Sequence, residues 1–214
     1  MVPIGGWAQN PVVPVLNQLF HDLDKNHGDA EERFTLASHF GTEKIRDTAV
    51  RLKAEWALLD GTEESSEIDF LLFRERTPIT IANFMGYVNR GDYTNMIVHR
   101  LVSGFVIQGG GFTMSSGVDG RISAAFVSTQ PTIKNEFGVS NTLGTISMAK
   151  LGGDPDSATS QWFISTGANS DNLDSQNGGF TVFCVVSRDS FEAALELDRQ
   201  QKFTIYDLGG VFGN

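Results

Sequence analysis

This sequence is poor in cysteine, in proline and in positive charge, and it has no long apolar run. Its 214 residues include a single cysteine, Cys184. An intramolecular disulfide is therefore excluded, and a cysteine-based metal cluster is not expected. Cys184 sits in the apolar run Phe183-Cys184-Val185-Val186, where a cysteine behaves as a small hydrophobe and not as a nucleophile. No apolar stretch approaches the ~18–20 residues needed to span a bilayer, so no membrane insertion is expected. Lys and Arg number 16 against 26 Asp and Glu, a formal charge of −10. That sign repels a phosphate backbone and argues against nucleic acid as a partner. The opening Met1 to Gly6 has neither a basic segment nor a long hydrophobic one, so it does not read as a signal peptide.

Of the six prolines, three fall at positions 3, 11 and 14, and a charged stretch from His21 to Arg33 follows. Residues 1–39 read as an extension, partly ordered, before a domain covering residues 40–214. Within the extension, Asp22-Leu23-Asp24-Lys25-Asn26 imitates the start of a calcium loop. The sixth position is His27 instead of the glycine the turn needs, and the twelfth is Arg33 instead of a bidentate glutamate. A solvated turn is the reading here, and no metal is expected.

From Asp47 the pattern becomes regular. Val50, Leu52, Ala54 and Trp56 alternate with Arg51, Lys53 and Glu55, the period of a half-buried strand. Ile68 to Phe73 reads as a second strand. Thr77-Pro78 opens a helix, with threonine as cap and proline at the first helical position. Ile81, Phe84, Met85 and Val88 form its apolar stripe, and Gly91 closes it. Short strand-like runs follow at Ile97–Val102, Phe105–Gln108, Gly144–Ala149, Trp162–Ser165 and Phe180–Ser187. A second helix is expected from Ser190 to about Arg199, and a last strand from Lys202 to Asp207. Many short strands with two helices suggest a barrel or sandwich.

Four blocks are the densest in informative residues. The first runs His99-Arg100-Leu101-Val102-Ser103-Gly104-Phe105-Val106-Ile107-Gln108-Gly109-Gly110-Gly111-Phe112-Thr113. The second is Gly144-Thr145-Ile146-Ser147-Met148-Ala149, and the third Ser160-Gln161-Trp162-Phe163-Ile164. The fourth is Asn172-Leu173-Asp174 followed by Phe180-Thr181-Val182-Phe183. The glycine run is no phosphate loop, since it lacks the Lys-Ser/Thr ending and opens no helix. In their order and spacing the four blocks resemble the cyclophilin family, in a form like its bacterial members, from about Asp47 to the last residue.

The resemblance implies a mainly β fold, a closed eight-stranded antiparallel barrel capped by two α-helices. It also implies peptidyl-prolyl cis/trans isomerase activity that assists folding, with Arg100 catalytic and Gln108 holding the arginine and the substrate. Phe105, Val106, Phe163, Leu173 and Phe180 match the proline pocket. Ala149, Lys150 and Gln161 match the groove for the preceding residues. His99 matches the histidine beside the arginine and reads as structural. No cofactor is implied. The partners would be proline-containing peptides and unfolded or partly folded proteins, met by a monomer. The leading extension looks like the leader-proximal region of an exported bacterial cyclophilin, which points to the periplasm, with the cytoplasm as the alternative.

Several positions depart from the family pattern. Gly111 replaces an aspartate, Val106 a methionine, Trp162 a phenylalanine, Lys150 an asparagine and Phe180 a histidine. Asn172 stands where cyclosporin-sensitive members carry tryptophan, so weak cyclosporin binding is expected. Two rival readings use the same residues. A non-catalytic proline-binding chaperone or assembly module could dispense with Arg100 and Gln108. A serine hydrolase built on His99 and Ser103 lacks a nucleophile elbow.

Overall fold

The computed structural model describes residues 49–57, 63–116 and 122–199. The extension 1–39 with its calcium-like run, and the strand expected at Lys202–Asp207, lie outside the described residues. In chain order the elements are β1 (Ala49–Ala57), β2 (Glu63–Leu72), α1 (Pro78–Arg90), β3 (Arg100–Val102), β4 (Val106–Gly109), β5 (Phe112–Ser116), β6 (Ile122–Phe126), β7 (Thr145–Met148), β8 (Trp162–Ser165), the single turn α2 (Ser170–Leu173), β9 (Val182–Val186) and α3 (Phe191–Arg199).

Seven strands form one sheet in the order β1-β2-β9-β7-β8-β4-β3, and β5 pairs separately with β6. The ladders from β2 to β3 are all antiparallel. The result is a mainly β, curled half-barrel with helices. Among the described residues no ladder joins β1 to β3, so the expected closed eight-stranded barrel is seen here only as this open sheet.

The centre of the sheet is buried on both sides. Every residue of β7, β8 and β9 is buried, and most are apolar, as strands covered on both faces are; Thr145, Ser147 and Ser165 are the polar ones. α1 sends Ile81, Phe84 and Tyr87 inward, and the Phe84 ring meets Phe183 of β9 at 4.9 Å. Trp162 of β8 takes the edge of Phe70 from β2 at 5.4 Å. α3 buries Phe191, Ala194 and Leu197. Cys184 is fully buried in β9, and burial pushes its thiol pKa well up, as suits a packing residue.

α1 ends at Gly91, whose N–H reaches the Tyr87 and Val88 carbonyls. Its start differs from the expectation that Thr77 caps it. The Thr77 hydroxyl donates backward to the Phe73 carbonyl at 3.3 Å. The first-turn N–H groups of Ile79 and Thr80 are instead taken by the Glu136 carboxylate, at 3.2 and 2.8 Å. A negative group at this end also suits the helix dipole. Among the described residues no helix is long and apolar enough to cross a membrane.

Candidate active site

The register of three ladders aligns the site. Arg100 lies opposite Gln108, Gln108 opposite Phe163, and Phe163 opposite Ser147. Directly opposed residues present their side chains on one face of a sheet. A guanidinium, an amide, a phenyl ring and a hydroxyl therefore form one row across β3, β4, β8 and β7. Val106, two residues from Gln108, shares that face.

The apolar part is a cluster of Val106, Phe163 and Leu173, with Phe105, Ala149 and Phe180 packed against it and only partly buried. Phe163 and Phe180 meet edge to face at 5.7 Å. The Arg100 guanidinium lies over the Phe105 ring at 5.5 Å, close enough for a cation–π contact. Arg100 itself is exposed, and among the described residues no carboxylate is bonded to it. Its charge thus lies beside Phe105, one of the rings packed against the apolar cluster.

The polar residues around the cluster fix one another. The Gln108 amide donates to Gln161 Oε1 at 2.8 Å, and the Gln161 carbonyl accepts the Ala149 N–H at 2.9 Å. Gln161 therefore ties the amide row to the groove edge. Gly111 sits against this pair: a Cβ there would lie 3.0 Å from both Gln161 Cδ and His99 Cε1. The aspartate expected from the resemblance has no room unless His99 or Gln161 shifts.

The His99 ring packs edge-on against Phe112 at 5.0 Å. Burial lowers its pKa, Arg100 adds to that, and Gln161 and the Ile97 backbone oppose it. Among the described residues its Nδ1 is buried without a partner at hydrogen-bond geometry. Lys150 is committed to structure. Its ammonium donates to the carbonyls of Asn177 at 2.9 Å and Gly179 at 2.6 Å and lies 4.8 Å from the centre of the Phe180 ring. Burial lowers its pKa, against the pull of Asp156 and Asp154.

A polar support behind the pocket went unread in the sequence. Asn141, fully buried, accepts the Ser147 hydroxyl at 2.6 Å and donates to Asp174 at 2.9 Å and to the Phe180 carbonyl at 3.0 Å. Asn169 donates to the Phe105 carbonyl at 2.7 Å. Together they fasten the segment bearing Leu173 and Phe180 to β7 and to the β3–β4 turn. The available signal was the density of asparagine in loops, a residue suited to bonding backbone groups.

The row offers a cation on the same face as an apolar cluster, with hydrogen-bonding amides between them. The geometry gives the hydrolase reading no support, because the Ser103 hydroxyl donates to Asp198 at 3.0 Å. Among the described residues no group of three or more His, Cys, Asp or Glu could hold a metal ion.

A family model described as cyclophilin type peptidyl-prolyl cis-trans isomerase/CLD matches residues 59–204. The chain is similar to peptidyl-prolyl cis-trans isomerase A of Dickeya dadantii, with 41% identity over 110 residues, 50% of this chain and 53% of that protein. It is also similar to peptidyl-prolyl cis-trans isomerase B of Escherichia coli, with 43% identity over 94 residues, 43% of this chain and 52% of that protein. The chain spans about half the length of the curated relatives it matches. Among solved structures it is similar to a Cryptosporidium parvum cyclophilin type peptidyl-prolyl cis-trans isomerase crystallised in the presence of the dipeptide ala-pro. That likeness has a TM-score of 0.48 and 26% identity, covering 62% of this chain and 79% of the other.

Proposed function

We propose that this chain, which belongs to the cyclophilin-type peptidyl-prolyl cis-trans isomerase family, catalyses rotation about Xaa-Pro bonds in peptides and partly folded proteins. A planar peptide bond resists rotation with a barrier of about 18–20 kcal/mol. Xaa-Pro bonds populate both isomers but exchange over tens of seconds or longer. On twisting, the proline nitrogen loses conjugation and gains lone-pair character. A fixed cationic donor beside that nitrogen binds the twisted amide better than the planar one, and such differential binding lowers the barrier.

Arg100 has that role in this reading. Its guanidinium stays charged and presents a rigid donor fork. Phe163, Val106 and Leu173 hold the proline ring, with Phe105 and Phe180 at the mouth. Gln108 and Gln161 steady the polar side, and the Ala149 edge accommodates the preceding residue. No proton is transferred and no covalent intermediate forms. The observation that carries the proposal is the cross-strand row that places Arg100 two strands from Phe163 on one face.

A closed eight-stranded barrel, a periplasmic setting and weak cyclosporin binding belong to the same proposal and rest on the resemblance to the family. The test is exchange NMR on a short Xaa-Pro peptide with catalytic amounts of the full chain. Accelerated cis–trans exchange is expected. Peptide binding without acceleration would replace the isomerase with the non-catalytic binding module.

A further inference from the structure

α3 carries a buried carboxylate that the proposed chemistry does not use. Asp198 is 7% exposed and is the penultimate residue of the helix. That is a poor place for it: the helix dipole disfavours a negative charge at a C-terminus, and a carboxylate is costly to bury unless its oxygens are bonded. Among the described residues its bonds lead to one place. Oδ2 accepts the Ser103 hydroxyl at 3.0 Å and the Gly104 N–H at 3.2 Å. Oδ1 accepts the Thr166 hydroxyl at 2.9 Å.

Ser103 and Gly104 form the turn between β3 and β4. Arg100 lies just before it and Phe105 just after. Thr166 directly follows β8, the strand of Phe163, and its N–H donates to the Phe105 carbonyl at 2.9 Å. The turn is also pressed close to the next residue, Gly167, where a Cβ would fall 2.0 Å from the Gly104 carbonyl oxygen. No larger residue fits there unless the turn moves away. One carboxylate thus clamps the Arg100-bearing hairpin to the strand that supplies the pocket floor.

We propose that Asp198 is a positioning residue, which fixes Arg100 and Phe105 relative to Phe163 through the Ser103-Gly104 turn. The inference rests on the isomerase reading above, because it concerns the alignment of that site. β3 is three residues long and stands at the sheet edge. Its neighbour β4 holds it from one side; Asn169 and the Thr166 N–H hold the Phe105 carbonyl, and the Asp198 clamp holds the Ser103-Gly104 turn itself.

The experiment measures kcat/KM by exchange NMR for the full-length wild type, Asp198→Asn, Ser103→Ala and the double variant, well below each melting temperature. It also records backbone relaxation dispersion across residues 100–106. Misplacing a reacting group by an ångström costs up to about 100-fold, so a loosened hairpin is expected to lose roughly tenfold in Asp198→Asn. Ser103→Ala removes one of the three bonds and should lose about two- to threefold, with the double variant no worse than Asp198→Asn alone. New millisecond exchange should appear at residues 100–106 and not in β9. Wild-type kcat/KM in folded Asp198→Asn would overturn the proposal, as would a loss with no change at residues 100–106. If Asp198→Asn does not fold, wild-type kcat/KM in Ser103→Ala overturns it. An inactive wild type would instead defeat the isomerase reading, leaving a separate signature.

Discussion

The strands β7, β8 and β9 and the β3–β4 hairpin belong to one sheet, yet different forces hold them. The three central strands are buried throughout and are secured by apolar packing. β3 alternates exposed, half-buried, exposed. It keeps its place through one ladder to β4 and the side-chain hydrogen bonds that reach its turn. The floor of the pocket is therefore part of the core, whereas the charged rim is an edge held by specific polar contacts. Changes to the floor should be felt first in stability, and changes to the rim first in turnover.

Phe163 sets the boundary of that comparison because it is both core and pocket. Phe163→Ala should cost about 3–5 kcal/mol of stability, as deletion of a buried ring does. It should also reduce kcat/KM when assayed below the melting point. Denaturant melts and activity on one preparation separate the two effects. Unchanged stability would move Phe163 from floor to rim.

Asn141 lies behind the floor and should act on stability at a smaller scale. Removing it in Asn141→Ala leaves Ser147, Asp174 and the Phe180 carbonyl without a shared partner, at a cost of about 1–3 kcal/mol. Urea unfolding reads the loss. A variant as stable as wild type would mean that the network adds nothing beyond packing.

On the rim, Asn172 is exposed, and its side-chain oxygen accepts from Gln176. It offers no large apolar face to a ligand. Asn172→Trp should tighten cyclosporin binding by at least one hydrogen bond, about 0.5–1.5 kcal/mol, plus the contact area of the indole. Calorimetric titration of both proteins is the check, and equal affinities would remove position 172 from the rim's recognition.

The smallest effect belongs to His99. Its folded pKa lies below the ordinary 6.5, so the unfolded chain takes up the proton first as pH falls. Stability should then drop from about pH 6.5 downward, until the folded ring itself protonates. Melting temperatures between about pH 7.5 and 5.5 should show this loss, and His99→Gln should flatten it. An identical pH profile in the variant would mean that another group titrates.

The same division explains what could be read from the sequence. β8 begins and ends where Trp162–Ser165 was expected, and α1 runs from Pro78 to the residue before Gly91, because apolar period and helix-ending glycine are local signals. The β5–β6 hairpin gave no such signal. It alternates weakly, with Ser115 and Ser123 paired across it, and Phe126 is 70% exposed. Its one clue is the pair of aromatic residues at its ends, Phe112 and Phe126, which meet at 4.8 Å. The cap of α1 was misread because Glu136 reaches it from 56 residues away. Asn141 and Asp198 were unread for the same reason: their partners are set by the fold and not by sequence spacing. Arg100, Gln108 and Phe163 were picked out by motif, and the ladders bring them onto one face.

Arg100 is the residue on which the account depends most. Exchange NMR with an Xaa-Pro peptide, run on wild type, Arg100→Ala and Arg100→Lys, tests it directly. Arg100 is exposed at the sheet edge, so both variants should melt like wild type. Arg100→Ala should lose about 2–4 kcal/mol of transition-state stabilisation in kcat/KM, as deletion of a preorganised donor does. Arg100→Lys should recover little of it, since a point charge cannot reproduce the fork. A folded Arg100→Ala protein that turns over the peptide at the wild-type rate would contradict the account.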